Sequence, residues 1–174
     1  MHSPELAFHQ AGAAFFMTGF ILFSAAGSAA LLLGLLVLLQ SAAPDLVGRA
    51  ATGLRERPFV SLGLGAAAFA GFLGLAALGK SVPPAGAFAV ASFGGLSLFG
   101  LAATAETLGR RIAWNAGREG SRASNLAVGW LVFFAAACVP FVGWLLVLPW
   151  GLFSGIGGLF VGLGRSTPPP AAPE

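Results

Sequence analysis

The chain has 174 residues, 57% of them hydrophobic and only 9% charged, with a mean hydropathy of +0.88. A soluble domain carries about 25% charged residues, so this chain has too little polar surface to face water all round, and its length allows one helical bundle and no second domain. The pI near 10.5 comes from nine Lys and Arg set between apolar runs, which is the pattern of membrane topology and not of nucleic-acid binding.

Residues 1–12 form an N-terminal segment that reads as extracytoplasmic. In "HSPELAFH", His2, Glu5 and His9 fall at i, i+3 and i+7, a spacing that suits a metal if all three are helical. Pro4 favours a helix that begins there and leaves His2 outside it, so no metal site is expected. His9 alone stays as a candidate ligand for a haem or pigment. Residues 1–10 hold no Lys or Arg, and the first apolar run is longer than the h-region of a signal peptide. The first helix therefore reads as retained.

The apolar runs come next: residues 13–40, 59–79, 85–109 and an uncharged double-length run, 126–164. One crossing needs about 20 apolar residues, and nothing alternates as a barrel strand would. The fold expected is an all-α integral membrane bundle of about five transmembrane helices, over 13–40, 59–79, 85–109, 124–139 and 142–164. The last two would form a C-terminal helical hairpin at "CVPFVGW". Pro140 removes a backbone donor and Gly143 tolerates turn dihedrals, which favours a full turn; a kink or a re-entrant hairpin is the competing geometry. Cys138, the single cysteine, excludes an intramolecular disulfide and reads as a small packing residue.

Between the runs, residues 41–58 carry Arg49, Arg55 and Arg57, and residues 110–124 carry Arg110, Arg111, Arg118 and Arg122. Lys80 stands alone in the second loop and Arg165 follows the last run. The positive-inside rule places the first and third loops in the cytoplasm, the N-terminus and Lys80 outside, and, with five crossings, the C-terminus inside. Residues 44–58, "PDLVGRAATGLRERP", put Leu46, Val47, Ala50 and Leu54 on one helical face. This suits a short amphipathic helix on the cytoplasmic surface, with an ordered loop as the alternative. Residues 165–174, rich in Pro and Ala, read as a disordered tail.

Ionisable groups at membrane depth mark transport pathways, and the expected spans have none near their middles. Glu106, near the cytoplasmic end of its span, reads as a partner of Arg110 or Arg111. Both histidines lie at the N-terminus, so no catalytic constellation assembles and no enzyme is expected. What the spans do carry is small-residue spacing: Gly63 with Gly71, Gly151 with Gly155, and Gly158 with Gly162. Such spacing lets helices approach closely.

Taken together, "LRERPFVSLGLG", "LGRRIA" and "VPFVGWLLVLPWGLFSGIGGLFVGLG" resemble a bacterial helical membrane module that often follows polymer-forming, bactofilin-like β-helical domains. The resemblance covers residues 44–164. It implies a membrane anchor or scaffold and carries no chemistry residue by residue; the uninterrupted apolar helices point to a bacterial inner membrane. Here the module reads as free-standing, and "GKSVPPAG" is more polar than its usual second loop. The function expected is therefore a non-catalytic structural or accessory subunit of a larger membrane assembly. Its partners would be the lipid bilayer and other membrane proteins or copies of itself, with Arg110, Arg111, Arg118 and Arg122 as a cytoplasmic basic face. The alternative is a small transporter or channel with an uncharged pathway, using Ser24, Ser28, Ser92 and Ser97.

Overall fold

A computed structural model describes residues 4–79, 81–118 and 120–164, with side chains from Phe16 onward except Ile21 and Leu22. The expectations for His2, Lys80, Arg165 and the tail 165–174 lie outside the described residues, as does the side chain of His9. Every described element is helical: α1 (Pro4–Ala42), α2 (Pro44–Glu56), α3 (Pro58–Leu78), α4 (Pro83–Asn115), α5 (Arg122–Ala137), a π turn (Gly143–Val147) and α6 (Leu148–Leu163). Four stretches are long and apolar enough to cross a membrane: Phe16–Ala42, Pro58–Leu78, Pro83–Asn115 and Gly143–Leu163. The fifth expected span, α5, has 16 residues and a length of about 24 Å.

Prolines set three of the helix junctions by one mechanism. Pro44, Pro58 and Pro83 each stand in the first turn of a helix, where a missing N–H costs nothing. The residue before a proline is pushed out of the α region. Ala43, Arg57 and Val82 accordingly have φ of −138°, −138° and −132° with positive ψ. Gly117 ends α4. It has φ +64°; its N–H donates to the Trp114 carbonyl, and the next N–H, of Arg118, to that of Ala113. This is a Schellman stop. It lies eight residues beyond the expected end at 109, so Arg110 and Arg111 are helical and not in a loop. Ser121 starts α5, its hydroxyl accepting from the Ser124 N–H at 3.2 Å.

The run 126–164 breaks at residues 138–142. Phe141 has φ +64°, and the Val142 N–H donates to the Pro140 carbonyl at 2.8 Å, closing a γ-turn of the uncommon positive-φ kind. Gly143 fits beneath the end of α5, where a Cβ would strike the Ala137 carbonyl. The break is a turn and not a kink, yet its arms do not pair along their lengths as a hairpin would. α5 packs on α4, while α6 packs on α2, α3 and α4. Cys138 is exposed at this elbow, contrary to the packing role expected of it, because it stands at the C-cap of α5, where the chain turns away. The π turn follows from Pro149. A proline has no N–H for the carbonyl four residues back and clashes with it. The helix widens just before the proline, with the Leu148 N–H reaching back five residues to Gly143.

The chain divides into two compact units, Met1–Leu35 and Leu36–Glu174. The first is a stretch of single helix with Phe16, Phe20 and Phe23 at its surface. The second holds the core, a cluster of Ala50, Ala51, Ala103 and Leu159 with Leu96 and Phe99 against it. α6 is its centre. Phe153 of α6 meets Phe69, which in turn meets Phe93, with tilted rings at centroid distances of 5.2 and 5.4 Å. Helix α2 turns Val47, Ala50, Ala51, Gly53 and Leu54 inward and packs on α6 and α4. Its apolar face therefore covers protein rather than lying free for lipid, and Leu46 is left exposed.

Candidate functional site

The glycines of α6 bring backbones together on two faces. On one, Gly155 lies against Gly100 of α4, Gly158 against Ala50 and Leu54 of α2, and Gly162 against Arg49 of α2. Gly151, one turn earlier, sits under the ring of Phe133 from α5. On the opposite face Gly157 meets the Ser61 carbonyl of α3. Gly63 and Gly71, expected at a packing face of α3, have open space around them, and Gly65 makes the close approach, against Phe153. Ser61 with Gly65 is itself a small-xxx-small pair, and the sequence reading passed over it in favour of Gly63. The two glycines are two residues apart, which is 200° around a helix, so only one of them can face α6. Likewise Gly109 and Gly129 seat α4 on α5, opposite Asn125 and Ala105.

Glu106 is the buried acid of α4, with its side chain 3% exposed. One oxygen accepts from the Arg110 guanidinium at 2.6 Å, and the other from the Gln40 amide at 3.2 Å. The Arg110 pairing is an i,i+4 contact of the kind the sequence suggests. Gln40 was not legible, because a single glutamine at the end of an apolar run gives no sign of what it meets. Thr104 and Ser154 bond backbone carbonyls of α6, and Ser61 bonds the Gly53 carbonyl of α2.

The four arginines do not share a face. Arg110 folds onto Glu106, while Arg111, one residue or 100° further round α4, lines a groove on another side. Arg118 follows the Gly117 stop and Arg122 opens α5, and both are exposed. The groove has a volume of about 500 Å³ and lies where the α2–α3 junction, α4, α5 and the π turn meet. Phe59, Phe133, Leu146 and Trp150 supply apolar walls, and Arg111 and Thr107 the polar groups. The Thr107 hydroxyl is buried and has no hydrogen-bond partner. Sequence reasoning missed this groove, since its residues come from six elements and no motif joins them.

Of the serines expected on an uncharged pathway, Ser28 donates to the Ala25 carbonyl at 2.9 Å. Ser24 is exposed, Ser92 half-buried, and the Ser97 hydroxyl buried without a partner. Among the described residues no group of three His, Cys, Asp or Glu is placed to hold a metal. Comparison with protein-family models, curated proteins and solved structures finds no match to this chain.

Proposed function

We propose that the chain is a non-catalytic structural or accessory subunit of a bacterial membrane assembly, built as a multi-pass helical bundle. The observation that carries the reading is the state of Glu106. It is the buried carboxylate among the described residues, and both its oxygens are taken by Arg110 and Gln40. A group that shuttles protons or ions needs a free face; this one ties two helices together. The backbone contacts of α6 support the same reading, since they favour a rigid rack over a moving gate. The resemblance to membrane-anchoring modules points the same way.

The orientation proposed puts the arginines of α2 and of the α4–α5 connection in the cytoplasm. Gly162, near the end of α6, lies against Arg49, which supports a C-terminus on that same side. Because the stretch Gly143–Leu163 is long enough to cross, the elbow at 138–142 then belongs outside. α5 carries the chain there from Arg122, as a short fifth crossing helped by local thinning of the bilayer.

Extraction in a mild detergent, followed by native mass measurement and identification of co-purifying proteins, tests the role. A stoichiometric complex with other membrane proteins is expected, and a homogeneous homo-oligomer without partners would overturn it. The second reading, an uncharged solute pathway, is favoured by the unpartnered Ser97 hydroxyl alone. Solute flux into vesicles that falls in Ser97→Ala would establish it.

A further inference from the structure

We infer that the groove beside the π turn holds one anionic phospholipid, with its phosphate at Arg111 and Thr107 and an acyl chain along Phe59, Phe133 and Trp150. The inference rests on the chain lying in a membrane. It does not depend on what other proteins the chain joins.

The polar side of the groove is a row on α4. Thr104, Thr107 and Arg111 stand three and four residues apart, so they line one helical face. Thr104 closes the inner end by donating to the Gly151 carbonyl at 3.1 Å. Thr107, 7% exposed, leaves its hydroxyl buried without a partner. Buried polar groups left unpaired are rare; the Thr107 hydroxyl is closed off from solvent without a partner, and a change of side-chain rotamer on binding would turn it to an acceptor in the groove. Arg111 is exposed and makes no ion pair among the described residues, because the nearby acid, Glu106, is engaged by Arg110. The groove thus presents one positive charge without an ion pair among the described residues, with one unmet donor just beneath its wall, a turn of helix apart. Together these match a phosphate diester, which offers charge and several acceptor oxygens.

The other walls select the rest of the molecule. They are aromatic and aliphatic, and the groove's volume of about 500 Å³ falls among ligand pockets of roughly 300–1,000 Å³. A free phosphate would satisfy Arg111 and Thr107 and leave those walls bare; a neutral lipid would fill the walls and leave the charge unmatched. One wall, Leu146 and Val147, belongs to the π turn, a helical irregularity that recurs at functional sites.

The test uses the full-length protein in a mild detergent, titrated with phosphatidylglycerol or phosphatidylcholine and read by native mass spectrometry. One phosphatidylglycerol per chain should be retained in preference to phosphatidylcholine. Arg111→Gln should weaken retention by about tenfold and Thr107→Val, which keeps the shape, by about threefold. Arg118→Gln, outside the groove, should leave it unchanged. Equal retention of the two lipids, or an equal loss in Arg111→Gln and Arg118→Gln, would overturn the inference in favour of unspecific surface attraction. Displacement of the lipid by millimolar inorganic phosphate would overturn it too, since that would make the site one for a free anion. Thr107→Val keeps the test open if Arg111→Gln does not fold. The accessory role stands or falls separately, on co-purifying proteins.

Discussion

Gly100 of α4 and Gly155 of α6 are packed backbone to backbone. A Cβ on Gly100 would lie 2.8 Å from the Ile156 nitrogen, and one on Gly155 would strike the Gly100 peptide. Helices in lipid have no hydrophobic force between them, and close approach of this kind is what would hold them there. Gly155→Ala should therefore cost about 1–3 kcal/mol through overpacking. Gly63→Ala, in open space, should be neutral or stabilising by up to about 1 kcal/mol from helix propensity. Thermal unfolding of both variants in the same detergent checks the contrast; equal effects would remove the close contact from the account.

The clamp between Gln40 and Glu106 predicts a second loss. Gln40→Ala leaves one oxygen of a buried carboxylate without its hydrogen bond, a cost of about 1–3 kcal/mol. Chemical denaturation in detergent reads it directly. Stability equal to that of the parent protein would mean that water reaches Glu106.

Cys138 offers a probe of the elbow, being the chain's single cysteine and exposed there. A maleimide should react with it in the folded protein at a rate close to that of the denatured chain. In sealed vesicles, an impermeant maleimide should reach it from the face opposite Arg111. Reaction from the Arg111 face would make α5 a re-entrant arm and reduce the crossings to four.

Pro149 should be what keeps the π turn wide. In Pro149→Ala the new N–H can bond the carbonyl four residues back, so residues 143–147 should tighten to α-helix and gain hydrogen-exchange protection. Unchanged exchange would assign the widening to the packing of α5 instead.

Much of this architecture could be read in the amino-acid order alone, because its signals are local. Apolar length marks the membrane-length helices. Pro44, Pro58 and Pro83 set junctions through the φ they fix in themselves and forbid in the residue before. The turn at Pro140 and the pairing of Glu106 with Arg110 are likewise short-range effects. The end of α4 was misread at Gly109 because a glycine packed against another helix looks the same in sequence as one that stops a helix. Its role is decided by Asn125, which lies opposite it in space. Which of Gly63 and Gly65 faces α6, what Gln40 meets, and that Arg110 and Arg111 part to different sides of α4 were likewise settled only by tertiary structure. So was the groove, whose walls come from six elements. Helix rotation is set by the partner against which a face packs. In a chain this uniformly apolar, no polar stripe records that rotation in the sequence.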